Sequence, residues 1–434
     1  MVEIRDPLHG AIAVHADEAP VVDHPFIQRL RGIKQMGFSE LPFPGAVHTR
    51  YAHSLGVMHL AGLAFDSVFR NDPFSSPARR AALRSAVRLA ALCHDLGHAP
   101  FSHCTEFAMP PLSALGLDAY APKAVAGRLN RHATHEDYTI LILTRSSLNE
   151  VICRQFPFTG RHVAALVSRE LSPGDDFFHD GGNDYRRILS QLISSELDAD
   201  RLDYLGRDSY YSGARYGQID THWMLSNLEW HADDTGQVSL AIDQRSVYAF
   251  DDFMIARYHM FLMVYFHHKS IVYEEMLRRH FTGSQCTYEF PADAEAYLGT
   301  DDIHLYAYLR QSGDTMARRI AHRVPYRRVI EKHGSPSEVS LDAAEAALKA
   351  AGIDRLVAAS TSRLSGYYAL GRKRVEAPPI YVIERQPGGR RRVSLLQDAT
   401  RVFERYRDER HISRIYVAED DLPAARALVE AAGG

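Results

Sequence analysis

The stretch CHDLGHAPFSH, residues 93–103, places His94, Asp95, His98 and His103 within eleven positions. A hydrophobic core has little use for so much titratable nitrogen, and a solvated face is more simply built from Lys and Glu. Two readings remain: a packed corner of satisfied histidines, or a site that holds a metal or moves protons. Two further clusters carry the same chemistry. HTRYAHSLGV contributes His48, Arg50 and His53, and ELDADRLDYLGRD contributes Asp198, Asp200, Arg201, Asp203, Tyr204, Arg207 and Asp208. On a helix, Asp200, Tyr204 and Arg207 or Asp208 fall on one face. A carboxylate beside an arginine and a tyrosine suits a metal-bound phosphate. Mixed imidazole and carboxylate ligands suit Fe, Mn, Zn or Ni, with positions left open for water and substrate.

The elements that must position these residues read mostly as helices. Apolar residues recur at helical spacing over 52–69 and 78–97, and Gly97 followed by Pro100 marks a stop. Thr134 is the expected N-cap of a helix over 134–152, and 188–211 and 250–281 are the longest helical patterns. Segment 371–379 is basic and then Pro-rich, as a linker would be. Beyond it, IYVIERQ, RRRVSLL and SRIYVAE read as short strands, with helices near 398–408 and 421–432. The expected fold is therefore mainly α: a helical core over 1–370, the linker 371–379, and a small α/β module over 380–434.

At 434 residues, 46% hydrophobic and 24% charged, the chain can bury a large core. No apolar run reaches the ~18 residues of a membrane span, and MVEIRDPLHG has neither region of a signal peptide. Cys93, Cys104, Cys153 and Cys286 are too sparse for a disulfide framework, which points to a reducing cytoplasm. Cys93 and Cys104 lack a C-x-x-C partner pair, so they read as small side chains rather than zinc ligands. A net charge of −4 argues against a nucleic-acid coat. The runs Arg372-Lys373-Arg374 and Arg390-Arg391-Arg392 leave nucleic-acid contact open, although exposed linker and hairpin charge is the commoner meaning.

In the order H…HD…D, His53, His94, Asp95 and Asp200 resemble the signature of the HD phosphohydrolases. The branch most similar is that of the deoxynucleoside-triphosphate triphosphohydrolases, which includes bacterial dGTPases and a vertebrate dNTPase with a sterile-alpha-motif domain. Similar stretches run from DPLHG (6–10) through FIQRLRGIKQMG (26–37), FPGAVHTRYAHSLGV (43–57), CHDLGHAPFSH, HE (135–136) and DADRLDYLGRD (198–208) to ARYHMFLMVYFHH (256–268). The likeness continues weakly to about 370. It begins at residue 6, so no sterile-alpha-motif domain is expected. A bare HD dipeptide is unspecific; the ordered set is not.

The resemblance implies an HD-domain core that hydrolyses a nucleoside triphosphate at the α-phosphorus, releasing deoxynucleoside and inorganic triphosphate. It implies His53, His94, Asp95 and Asp200 as ligands of a divalent transition metal (Fe, Mn, Zn or Ni), with a second Mg or Mn at the phosphates left open. His103 would be the general acid toward the leaving 5′ oxygen, supported by His98, His135 and Glu136; an unperturbed imidazole pKa near ~6.5 suits proton transfer near neutrality. Arg50, Arg201 and Arg257 would touch the triphosphate, with Tyr204 beside them. Tyr265 would lie under the sugar as a gate against a 2′-hydroxyl, and Asp208 and Gln35 would hold the 3′-hydroxyl. His267 matches as well, in a register that His268 leaves open by one. Asp23, Gln28 and Arg31 match a patch for an activating nucleotide, and a homo-oligomer, dimer or tetramer, is expected. Two rivals stand beside this reading. Another HD phosphohydrolase, acting on a monophosphate, cyclic nucleotide or alarmone, would not need Tyr265, Asp208 and Gln35 as a set. A non-catalytic nucleotide- or nucleic-acid-binding protein would not need the proton-transfer histidines.

Overall fold

The computed structural model describes residues 1–118, 120, 130–335, 339–362, 378–405 and 410–433. The chain is mainly α. Two long helices form its centre: α1 (Arg50–Val68) and α2 (Pro77–Cys93). Helix α1 is buried on nearly every side, from Leu55 and Val57 round to Phe65. Ser76 caps α2 by accepting from the Arg79 N–H, with Pro77 pre-set for the first turn. This helix ends at Cys93, short of the expected stop. Gly97 serves close packing instead. A Cβ there would stand 1.9 Å from the His135 carbonyl, so glycine lets the next helix pass across the motif.

That helix, α3 (His135–Arg145), starts at Thr134 as expected, with the Thr134 N–H held by Asp137 at 2.7 Å. It stops at Ser146, which caps a second helix over Ser147–Gln155, so the expected 134–152 helix is two. The 188–211 pattern also breaks. A short helix ends at Gln191, and α4 (Ala199–Ser212) begins anew from Asp198, whose carboxylate accepts from the Arg201 N–H. The 250–281 pattern divides into α5 (Val247–Met260), a π turn over Phe261–Tyr265 and α6 (His268–Thr282). The second and third breaks fall beside residues of the site, Asp200 and Tyr265, where a continuous helix would aim the side chains elsewhere.

The sheets hold the less legible part. Strands β1 (Val2–Asp6) and β2 (Gly10–Val14) form an antiparallel hairpin. Strands β3 (Leu228–Ala232) and β4 (Val238–Asp243) pair antiparallel, β5 spans Arg327–Gly334 and β6 Arg355–Ser362. The three strands expected in the tail are present as β7 (Tyr381–Arg385), β8 (Arg391–Leu395) and β9 (Arg410–Val417). They do not share a sheet. β7 runs parallel to β4 and carries β8, whereas β9 is the middle strand between β5 and β6. The small C-terminal α/β module therefore reaches back before residue 380. Helices α7 (Asp342–Ala350) and α8 (Leu422–Ala431) pack on it through Leu348, Ile415, Val417, Ala425 and Val429. Residues 371–377 of the expected linker, Arg372-Lys373-Arg374 among them, lie outside the described residues, as does part of the 398–408 helix. Arg390, Arg391 and Arg392 are exposed at the β7–β8 hairpin.

Candidate functional site

Four of the expected ligands meet where α1, the end of α2 and the start of α4 converge. His53 Nε2 lies 3.0 Å from Asp200 Oδ1 and 3.7 Å from Asp95 Oδ2; His94 Nε2 lies 3.2 Å from Asp95 Oδ1 and 3.6 Å from Asp200 Oδ1. Both Nε2 atoms are buried and have no hydrogen-bond partner among the described residues. Their opposite ring nitrogens are fixed. His53 Nδ1 bonds Asp203 Oδ2 at 2.7 Å, and His94 Nδ1 donates to the Ala91 carbonyl at 2.7 Å. With Nδ1 carrying the proton, each Nε2 turns a lone pair toward the two carboxylates, which is how histidine ligands of a metal are oriented. Burial opposes a charge on His53, yet Asp200 and Asp203 outweigh it and push its pKa up to about 10. The same carboxylates call for a cation at that point. The donor set fits a divalent ion of the Fe, Mn, Zn or Ni kind.

Behind these ligands lies a layer that sequence reading missed. Arg207, fully buried, donates to both oxygens of Asp203 at 2.8 and 2.9 Å and to Asp6 at 2.8 Å; His9 Nε2 meets Asp203 at 2.6 Å. The N-terminal hairpin thus braces the aspartate that orients His53. Gly56 makes this approach feasible, since a Cβ there would lie 1.9 Å from Asp203 Oδ1. Asp203 stood in the motif without a role. Arg207, expected with Asp200 and Tyr204 beside a metal-bound phosphate, is instead fully buried on Asp203 and Asp6 and does not line the cavity. DPLHG supplied no signal beyond its likeness.

A second histidine group adjoins the first. His98 Nε2 is 3.3 Å from Asp95 Oδ1, and its ring stacks on His135 at 4.0 Å between centroids. His103 stands edge-on to both rings, with two thirds of its side chain exposed. The unforeseen member is Glu106, which bonds His135 Nδ1 and lies 3.4 Å from His103 Nδ1. Burial works against its charge, but His103 and His135 hold its carboxyl well below the usual range. Burial likewise disfavours a charged His135, and Glu106 overcomes it and raises that pKa. His98 goes the other way: burial, then Arg50 and His135, keep it neutral. Phe101 and Ser102, between His98 and His103, both take left-handed backbone, φ 57° and 59°. Asp302 accepting from the Phe101 N–H at 2.7 Å and the Lys34 carbonyl accepting from Ser102 at 3.0 Å hold that strained turn. Glu106 sits three residues past His103, a spacing that offered a signal.

One cavity of about 490 Å³ joins these groups to most of the remaining candidates. It is lined by His94, Asp95, Asp200, His98, His103, His135 and the exposed Glu136, and by Gln35, Arg50, Tyr204, Asp208 and Tyr265. Tyr265 donates to Asp208 Oδ2 at 2.7 Å, and His48, missed as a partner, meets Asp208 Oδ1 at 2.7 Å. Gln35 Oε1 is buried without a partner among the described residues. Arg50 bonds Asp95 Oδ2 at 2.5 Å and Ser102 at 2.9 Å. His53 is buried behind this wall, and three candidates for substrate contact lie off it as well. Arg201 and Arg257 converge on Glu196, each at 3.4 Å, and His267 caps α6 by accepting from the Lys269 N–H at 3.2 Å. Cys104 lines the cavity, while Cys93 is buried in the core beside the ligands. Gln28 and Arg31 bond each other at 2.7 Å, with Arg31 over the Tyr51 ring, beside a second cavity of about 710 Å³; Asp23 is exposed. No helix among the described residues is long and apolar enough to cross a membrane.

Comparison with known proteins agrees with this geometry. Residues 50–204 match the HD domain, and residues 219–358 match an HD-associated region. The uncharacterised protein YwfO of Bacillus subtilis is 32% identical over 265 residues, 61% of this chain and 51% of that protein. The deoxynucleoside triphosphate triphosphohydrolase SAMHD1 of Homo sapiens is 31% identical over 226 residues, 49% of this chain and 34% of that one. The chain spans about half the length of the curated relatives it matches. A solved hypothetical protein from Aquifex aeolicus superposes with a TM-score of 0.73 at 23% identity, over 99% of both chains. A phosphohydrolase from Bacteroides thetaiotaomicron gives 0.68 at 22%, over 96% of this chain and 99% of that one, a likeness of fold. With its histidines and aspartates gathered in the order the motif requires, the chain carries an HD domain over residues 50–204, followed in sequence by an HD-associated region.

Proposed function

We propose that this chain is a metal-dependent phosphohydrolase that converts deoxynucleoside triphosphates to deoxynucleoside and inorganic triphosphate. The observation that carries the reading is the single cavity in which a cation-demanding His–Asp cluster, a proton-carrying His–Glu cluster and the Tyr265–Asp208 pair face one another. The activity for which the vertebrate relatives are named supports the substrate class.

His53, His94, Asp95 and Asp200 would hold the ion. Such an ion, when bound, supplies Lewis-acid polarisation of a phosphate oxygen. The chain's own residues do the rest. Asp203 and the Ala91 carbonyl keep both ligand imidazoles in the tautomer that offers Nε2. Arg50, on the cavity wall, neutralises charge that develops on the α-phosphate. Arg201 and Arg257 reach the outer phosphates only by loosening their hold on Glu196. As water attacks the α-phosphorus and the bond to the 5′ oxygen breaks, His103, the exposed ring of its cluster, donates its proton to that oxygen. The ionised Glu106 lies against Nδ1 of the ring, and solvent returns the proton. Tyr265 closes the space beside the 2′ carbon, while Asp208 and Gln35 take the 3′-hydroxyl.

An activating nucleotide at Asp23, Gln28 and Arg31 and a homo-oligomer belong to the same proposal; sedimentation with and without nucleotide tests both. The activity itself is tested by incubating pure protein with each dNTP, NTP and dNMP plus Mn²⁺ and following triphosphate release. Hydrolysis of monophosphates alone overturns the substrate, and no hydrolysis overturns the reaction. For the gate, the expected dNTP over NTP preference is roughly 10²-fold in kcat/KM, because reacting groups tolerate little misplacement. Tyr265→Ala should narrow it by admitting ribonucleotides.

A further inference from the structure

Helix α5 does not run on into α6. The intervening π turn closes with the Phe266 N–H donating to the Phe261 carbonyl at 2.9 Å, and the chain then restarts at His268. The end of such a turn leaves carbonyls, that of Phe266 among them, which the helical ladder does not take up. The carbonyls on either side of His267 are met from far along the chain. Arg414 Nη2 donates to the Phe266 carbonyl at 2.9 Å, and the Tyr416 hydroxyl donates to the His268 carbonyl at 3.1 Å. Both residues lie in β9, which is outside the two segments that match the family.

The arginine is built in rather than filling space. It is 3% exposed, with Nε on Glu331 of β5 at 2.5 Å and Nη1 on Ser360 of β6 at 3.5 Å. Strands on both sides therefore lock its plane, and only a guanidinium offers donors in three directions from one rigid fork. Tyr416 is fully buried. The residue immediately before the gripped Phe266 is Tyr265, whose hydroxyl rests on Asp208 in the cavity.

We propose that β9 is a positioning device for the cavity wall: Arg414 and Tyr416 grip the backbone around His267 and so aim Tyr265 at Asp208. Any consequence for sugar choice rests on Tyr265 being the gate; the grip itself does not. Arg414 and Tyr416 are positioning residues, since neither lines the cavity.

Two full-length variants test this. Arg414→Met keeps the length and removes the donors, and Tyr416→Phe removes only a hydroxyl, so it carries both measurements should the first fail to fold. Amide hydrogen exchange needs no substrate. Exchange over residues 261–270 is expected to quicken roughly tenfold or more, with α1 and α4 unchanged. Unchanged exchange in that segment overturns the proposal whatever the enzyme hydrolyses. The second measurement is the ratio of kcat/KM for matched dNTP and NTP. It should fall by about 3- to 30-fold in each variant, and should fall no further when Tyr265→Ala is already present. A structural role alone lowers both substrates alike and leaves the ratio unmoved; that result overturns the positioning role. A wild type without sugar preference sinks the gate, and exchange then decides the grip alone.

Discussion

The two histidine groups use the same residue types within a few ångströms of each other, and their surroundings differ. In the first, His53 and His94 have their Nδ1 atoms taken by Asp203 and a backbone carbonyl, which leaves both Nε2 atoms buried and unpartnered among the described residues. In the second, Glu106 is shared between His135 and His103, and His103 is open to the cavity. A braced imidazole with one lone pair free is suited to ligate a metal; an imidazole beside an ionised carboxylate, with a neighbour open to solvent, is suited to carry a proton, as proposed above. What stands behind each ring decides its role.

The largest test of that division is Asp200→Ala. Removing one of four ligands should take bound metal from near one per chain to near none and reduce turnover by more than ~10³-fold. Elemental analysis beside circular dichroism checks this, and full occupancy in a folded variant removes Asp200 from the ligand set. His103→Ala should do the reverse, keeping its metal while kcat drops ~10²–10⁴-fold. If that variant keeps half of the wild-type kcat, the leaving oxygen is protonated by another group.

Asp203→Asn sharpens the comparison from behind. It touches no metal, yet metal affinity should weaken ~10–100-fold by chelator competition, because the brace on His53 loses its charge. Unaltered affinity would assign Asp203 to Arg207 and packing alone.

The smallest effect concerns the Glu106–His135 pair, and it depends on pH. Glu106 has its pKa lowered and His135 has its pKa raised, so the pair is fully charged from the low end of the carboxylate range up to the raised histidine value. The stability it contributes is complete below the unfolded histidine pKa and is lost as pH rises through the folded one. Glu106→Gln should therefore cost about 1–2 kcal/mol near pH 6, with the deficit closing at higher pH. Thermal melts of both proteins across pH check this; a deficit that grows with pH reverses the assignment.

Much of this was legible along the chain. Asp200, Tyr204 and Asp208 do share the inner face of one helix, and Thr134 does begin another, because those signals act over a few residues. Glu106 was legible only beside His103; its bond to His135, 29 positions away, forms only once α3 crosses the motif. Gly97 shows the same limit in one residue. Along the chain it reads as a helix stop, and in space it is the gap through which α3 passes.

What the sequence by itself determined is the inventory: the ordered histidines and aspartates, the helices that carry them and the strands of the tail. Residue type and local periodicity are properties of neighbours in the chain. The tertiary structure decided which nitrogen of each histidine is free, that Arg201 and Arg257 meet at Glu196, and that β9 leaves its neighbours in sequence to lie between β5 and β6. Burial is the physical reason. Only packing removes water from Asp203, Arg207 and Arg414, and a buried charge or carbonyl must then find its partner wherever the fold has brought one.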